Sequence, residues 1–224
     1  MPTIAPTHAN NDCILLPLHA AHGGKSLAEA LSARRTNREI AANDLPTPLL
    51  AELLWAAAGV NRPATQFHAA GRTAASAGNS QEIEIYALLA RGAYRYDPQA
   101  ARLDGAASGD LRGLGLTLGQ RGAETRAPAQ ILLVADTSRL SHHSPYKDPG
   151  LTDPATVAAY AHFDAGLVAQ NIYLFAAANG LAAWLHNCDR EGLREALKLP
   201  DARQPLYSIS VGFPAPSAAR GPRP

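Results

Sequence analysis

Hydrophobic positions along the chain change their period several times, and each change marks an element. Ser26 followed three residues later by Glu29 is a capping box, and Leu27, Ala30 and Leu31 recur at helical spacing, which predicts a first helix ending near Arg34. Thr47 and Pro48 predict an N-cap with proline in the first turn of a second helix, whose apolar face is Leu49, Leu50, Leu53, Leu54 and Trp55, up to Gly59. Over residues 82–89, Ile83, Ile85 and Ala87 alternate with Glu84 and Tyr86, the period of a strand. A turn at Gly92 and a short second strand through Ala93-Tyr94-Arg95-Tyr96 follow. Behind Pro128 lies an unbroken apolar run at 131–135, the pattern of a central strand buried on both faces. Residues 156–179 read as a helix apolar nearly all round and stopped by Gly180, and a helix so apolar is expected inside the fold. Asp189 caps a short helix reaching Leu199 before Pro200, and residues 206–211 alternate as a final strand ahead of Gly212-Phe213-Pro214.

Helices and strands alternate irregularly and no period of 20–50 residues is visible, so a single α+β domain is expected over residues 25–214. Residues 1–24 carry turn formers and end on Gly23-Gly24, an extension expected to wrap or fray, and 215–224 reads as a mobile tail. At 224 residues and 46% hydrophobic content the chain can bury one core. Lys+Arg 20 against Asp+Glu 19 leaves a formal charge of +1, so no overall field favours nucleic acid or an anionic membrane. The most apolar stretch is interrupted by His162, Asp164, Gln170 and Asn171, which argues against a membrane span. The N-terminus lacks the pattern of a signal peptide, so a cytoplasmic location is expected, with export after loss of a leader as the alternative. Cys13 and Cys188 lack CxxC spacing and read as free thiols.

Two segments carry candidate chemistry. Arg34-Arg35-Thr36-Asn37-Arg38 sets three guanidinium groups and two short polar side chains at the end of a helix. Guanidinium forks match phosphate oxygens and stay charged, although basic residues also favour any helix C-terminus because of its dipole. Residues 75–81, Ala-Ser-Ala-Gly-Asn-Ser-Gln, offer small side chains and backbone N–H groups to a ligand, or form only a polar loop. Other constellations are weaker. His142-His143-Ser144 has no further metal ligand at suitable spacing and reads as a surface loop, and His162 and Asp164 point to different faces of their helix. His186 and Cys188 suggest a thiol nucleophile, but no orienting group or oxyanion hole accompanies them, so they read as core or cofactor-lining residues.

The arginine cluster, the small-residue loop before a strand, the long apolar helix ending in Asn179-Gly180-Leu181 and the terminal strand running into Gly-x-Pro are co-linear. In that order they resemble the nitroreductase family over residues 26–214. Leu53-Leu54-Trp55-Ala56-Ala57, Gly59-Val60-Asn61-Arg62, the loop around Ser76 and Tyr94-Arg95-Tyr96-Asp97 are similar to its branch related to the azoline-oxidising dehydrogenases. The resemblance implies a central, mostly antiparallel sheet flanked by helices, and an intertwined homodimer with two interfacial FMN sites. It assigns Arg34 and Arg35 to the phosphate and ribityl chain, Thr36 to a hydrogen bond beside them, and Arg38 to the pyrimidine edge, with Gln120 a weaker candidate there. Ser76, Ala77, Gly78, Asn79 and Gln81 come from the partner chain's loop. Leu185, His186 and Asn187 lie near N5, where a backbone N–H serves.

Three positions depart from the family pattern. Ala75 stands where a proline often opens the loop, and Trp184-Leu185-His186-Asn187-Cys188 stands where relatives carry a basic residue and glycine. No basic residue closely follows the last strand, because Pro214 is followed by Ala215 and Pro216; Arg220 substitutes only if the tail is ordered.

The activity implied is an FMN-dependent oxidoreductase with no catalytic side chain and no metal, working by a ping-pong cycle. NAD(P)H delivers hydride to N5, and a nitroaromatic, quinone or similar acceptor takes the electrons. The alternatives are a flavin-dependent dehydrogenase of an organic, azoline-like substrate and a non-catalytic flavin-binding protein.

Overall fold

The computed structural model describes residues 12–19, 25–64, 70–121, 127–142 and 149–216. The apolar run at 131–135 lies in β7 (Ala129–Asp136), where Ile131, Leu132, Leu133 and Val134 are all fully buried. Side chains alternate across a strand, so these four feed two cores. Ile131 and Leu133 pack with Leu53 and Leu54 of α2 (Thr47–Ala58) and Ile172 of α4 (Pro154–Ala178). Leu132 and Val134 pack on the opposite face with Leu88 of β4 (Ile83–Leu89) and Leu193 of α5 (Arg190–Ala196). Each such side chain contributes about 1.5–3 kcal/mol by leaving water.

The sheet has seven strands in the order β1 (Cys13–Leu15), β6 (Arg102–Ser108), β5 (Gly92–Asp97), β4, β7, β9 (Arg203–Gly212), β8 (Ala182–His186). Every neighbouring pair is antiparallel. A separate ribbon pairs β2 (Val60–Ala64) with β3 (Ala70–Arg72), and α1 (Leu27–Ala33) and α3 (Thr137–His142) complete the elements.

The capping box of α1 forms as expected, with the Ser26 hydroxyl accepting from Glu29 N–H at 3.3 Å and the Glu29 carboxylate accepting from Ser26 N–H at 2.8 Å. The start of α2 differs. Pro46, extended at ψ 139°, is the N-cap and has no side-chain acceptor, while its carbonyl takes the Leu50 N–H at 3.0 Å, so the first turn begins one residue before the threonine cap expected. Helix α5 stops at Ala196, short of Leu199, because Lys198 turns left-handed at φ 50°. Strand β9 starts at Arg203 and is buried on both faces along most of its length, since helices cover both sides of the sheet there.

The expectation that α4 lies wholly inside is corrected. Ala161, Asp164, Ala165, Val168 and Ile172 are buried, but Tyr160 and Phe163 are 39% and 66% exposed and Gly166 and Gln170 face outward. Sequence pattern reads hydrophobicity, and a helix face awaiting a neighbour looks the same as one already covered. Cys13–Leu15 of the N-terminal extension pairs with β6, and Leu16 is buried behind it. Gly23-Gly24, His143, Ser144 and Arg220 lie outside the described residues. Among the described residues no helix is long and apolar enough to cross a membrane.

Candidate functional site

Arg34 is the C-cap of α1 and leaves it at ψ 122°, so the helix dipole favours its charge, while Arg35 and Arg38 lie beyond the helix. Asn37 and Arg38 lie against β8, the edge strand of the sheet, whose outward backbone groups need partners. Asn37 N–H donates to the Ala183 carbonyl at 2.9 Å. The Tyr173 hydroxyl, from α4, accepts the Leu185 N–H at 2.9 Å and shares a 3.1 Å hydrogen bond with the Thr36 hydroxyl. One phenol therefore joins the arginine segment, the long helix and the edge strand.

The guanidinium of Arg34 lies 5.6 Å from the Tyr173 ring centroid, and that of Arg38 lies 5.3 Å from the Trp184 centroid. Both cations are held over aromatic faces, which limits their wandering. A cavity of about 280 Å³ opens where α1 meets the last turn of α4, lined by Lys25, Arg34 and Arg35 and, among the described residues, by no carboxylate. Lys25 Nζ donates to the Ala177 carbonyl at 3.4 Å, so an ammonium stands beside the negative pole of α4. Lys25 and Tyr173 escaped sequence reasoning. The lysine sits just before a capping box, and the tyrosine reads as one more apolar position on a helix.

Past this edge, the side chain of His186 is buried. Its Nε2 is 2.8 Å from Ser210 Oγ and its Nδ1 is 3.0 Å from the Asn187 carbonyl, and burial holds its pKa below the ordinary value. With both nitrogens in use, the ring orders the strand and is not free as a base. Cys188 is buried too, and burial pushes its thiol up to about 11, so it stays protonated and a thiolate nucleophile is ruled out near neutrality. Of the three backbone N–H groups expected near N5, that of Leu185 is taken by Tyr173 and that of His186 points toward β9 by strand alternation. Asn187, just past the strand, is exposed. The Gln120 side-chain carbonyl accepts from Thr117 N–H and hydroxyl at 3.2 and 2.8 Å, in a turn that the Arg121–Asp189 ion pair pins to the residues following Asn187.

The loop at 75–81 lies elsewhere. Its Ala77 N–H donates to Asp164 Oδ2 at 2.8 Å, whereas the arginine segment meets α4 at Tyr173, about 13 Å further along the axis and half a turn around it. A single chain does not bring the two segments together. Gly78, Asn79 and Gln81 are left-handed at φ 56°, 57° and 52°, a conformation natural for glycine and tolerated by asparagine. Gln81 is held there by its surroundings: its N–H donates to Ser76 Oγ at 2.9 Å, its amide to Ala70 O at 2.6 Å, and Arg72 Nε donates to its Oε1 at 2.8 Å.

Beneath the loop is a carboxyl pair that the sequence did not announce. Glu82 is fully buried, and Ser80 Oγ donates to its Oε2 at 2.6 Å. Its Oε1 is buried with no donor to bond, and the facing group is the carboxylate of Asp164. Burial, reinforced by Asp164 and opposed by Ser80, raises Glu82 to about 7. Protonated, Glu82 donates to Asp164, the hydrogen bond that two carboxylates cannot make.

Residues 31–213 match the nitroreductase family. The chain belongs to the nitroreductase family. A crystal structure from Ralstonia eutropha JMP134, a candidate nitroreductase, shares 31% identity over 94% of each chain with a TM-score of 0.76. A candidate nitroreductase from Anabaena variabilis shares 22% identity over 84% of this chain and 38% of its own, with a TM-score of 0.62. Nitroreductase A from Vibrio parahaemolyticus shares 18% over 90% of this chain and 72% of its own, with a TM-score of 0.59. No curated protein matches the chain. As a nitroreductase-family member it is an FMN-dependent NAD(P)H oxidoreductase, and the α+β fold with a central antiparallel sheet is the one expected.

Proposed function

We propose that two copies of this nitroreductase build each FMN site between them, and that the enzyme passes electrons from NAD(P)H to a nitroaromatic, quinone or similar acceptor in a ping-pong cycle. The observation that carries the reading is the cavity at the end of α1, where Lys25, Arg34 and Arg35 converge with no carboxylate among the described lining residues. Three cations suit a phosphate dianion and must outweigh the negative end of α4 beside them, and Lys25 offsets the lack of a basic residue after the last strand.

FMN, when bound, supplies the centre that accepts and donates hydride. The chain's own residues bind and orient. Arg34, Arg35 and Lys25 hold the phosphate, Thr36 bonds alongside, and Arg38 offers a fixed positive charge to the pyrimidine edge. Asn187 N–H serves N5, since the Leu185 N–H is already engaged by Tyr173. Gln120 remains the second candidate at the pyrimidine edge. Ser76, Ala77, Gly78, Asn79 and Gln81 reach the cofactor of the other copy. The separation of this loop from Arg34 within one chain supports that reading, and so does the open face of α4 around Phe163, which a second copy covers.

The experiment is direct. Purified protein is expected to be yellow, dimeric by light scattering, and bleached anaerobically by NADH or NADPH. A colourless protein refutes the cofactor, and a yellow monomer refutes the shared site. The likeness of 53–57 and 94–97 to azoline-oxidising dehydrogenases favours a second reading, a substrate dehydrogenase. In that case neither nicotinamide bleaches the protein and an azoline-like substrate does.

A further inference from the structure

We infer that the cavity between the Ser76 loop and the β4–β5 hairpin is a second binding site, built for a small organic molecule that carries a carboxylate. It is separate from the phosphate cavity, being lined by none of the arginines of the 34–38 segment, and it shares only Ser76 and Gln81 with the residues proposed to reach the other copy's flavin. Its volume is about 250 Å³, enough for one ring or a short acyl chain and below the usual range of whole-cofactor pockets.

Its lining combines apolar Ala58, Ile85 and Val168 with the guanidinium groups of Arg72, Arg95 and Arg139, of which Arg95 faces Glu84. Those of Arg72 and Arg139 are half-buried, and their hydrogen-bond acceptors among the described residues are neutral. Arg72 donates to Gln81 Oε1 at 2.8 Å and to the Ala58 carbonyl at 3.1 Å, and Arg139 Nη1 donates to the Gln81 carbonyl at 2.7 Å. Among the described residues neither has a carboxylate within ion-pairing distance, 4.0 Å.

The two acids on the cavity wall are engaged elsewhere. Glu84 faces Arg203 at 3.2 Å and Arg95 at 3.6 Å. Asp97 faces Arg102 at 3.6 Å and accepts the N–H groups of Gln99 and Ala100 at 2.9 and 3.0 Å. Burial and the nearby Arg139 charge hold Arg72 below the ordinary arginine value, with Tyr96 and Asp97 acting the other way.

Two partly desolvated guanidinium groups with no ion-pair partner among the described residues are costly until an anion joins them, and their fork geometry matches a carboxylate. The apolar part of the lining selects against a bare inorganic ion, because phosphate would leave Ala58, Ile85 and Val168 without a partner. Occupancy would be felt at the loop, since both arginines hold Gln81.

The test is calorimetric titration of the full-length, flavin-loaded protein with benzoate, with benzamide as its neutral isostere, and with inorganic phosphate. Benzoate is expected to bind one per chain, at least about tenfold tighter than benzamide or phosphate. Arg139→Gln should weaken benzoate about tenfold or more and leave benzamide unchanged. The benzoate-over-benzamide preference is read on the unmodified chain, so it stands even if the variant does not fold. Equal binding of benzoate and benzamide, or no benzoate binding up to roughly 10 mM, overturns the proposal. Phosphate binding as tightly as benzoate overturns it as well, by making the site one for any anion. Benzoate that perturbs the flavin absorption and is indifferent to Arg139→Gln sits at the cofactor, which also overturns it while leaving the flavin reading intact.

Discussion

Replacing Glu82 by glutamine should make the protein more stable at pH 8 and leave it unchanged near pH 4.5. Glu82 is fully buried against Asp164, and its pKa rises from the ordinary 4.5 to about 7. In the unfolded chain the same carboxyl returns to its ordinary value. Below pH 4.5 both states hold the proton, and stability does not depend on this group. Between 4.5 and 7 the unfolded chain ionises first, so unfolding releases a proton and stability falls as pH rises; above 7 both states are ionised and the loss is complete. The difference is worth about 3 kcal/mol. Glutamine keeps the shape and a donor toward Asp164 but cannot ionise, so the Glu82→Gln variant lacks this slope.

Urea unfolding at fixed protein concentration from pH 4.5 to 8 measures it. Buried His186, held below its ordinary value, gives the opposite slope as it titrates, but equally in both proteins, so the difference isolates Glu82. A wild-type minus variant difference that stays level across the range, or grows in favour of the wild type as pH rises, refutes a protonated Glu82.

Arg34→Ala should weaken FMN by about 1.5–3 kcal/mol, roughly 10- to 150-fold, and riboflavin far less, by equilibrium dialysis of the apoprotein. Lys25→Ala should show the same FMN selectivity with a smaller loss, and equal losses for the two flavins would move both cations away from the phosphate. Arg38→Gln should lower the two-electron midpoint potential by roughly 30–65 mV, toward the lower end because its guanidinium is exposed in a single chain. Spectroelectrochemical titration of the FMN-loaded variant reads that shift, and an unchanged or raised midpoint removes Arg38 from the pyrimidine edge. Phe163→Lys places a charge on the open face of α4, and light scattering should find a monomer that has lost its yellow colour. A variant that stays dimeric would mean the second copy sits elsewhere.

Local order was legible where one rule governed a segment. The capping box at Ser26 and Glu29 formed because both partners lie within one turn, and the run at 131–135 became a doubly buried strand because no polar residue in it could face water. The α2 start was misread because Pro46 and Thr47 compete for one cap, which neighbouring geometry decides. Strands β6 and β8 were missed. Residues 102–108 and 182–186 show no clean alternation, and their pairing partners lie far along the chain.

The candidate site divides in the same way. That Arg34, Arg35 and Arg38 act together follows from the sequence, since five consecutive residues cannot stray far from one another. The placement of Arg38 against β8, the Tyr173 hydroxyl that ties the segment to Leu185, and the approach of Lys25 required the tertiary structure. The same is true of Glu82 and Asp164, distant in the chain and face to face in the core. Sequence by itself determined which residue types were available and which short segments repeat a helical or strand period. Only the tertiary structure decided which distant side chains share a dry environment, because desolvation and hydrogen-bond pairing depend on neighbours that a one-dimensional pattern does not contain.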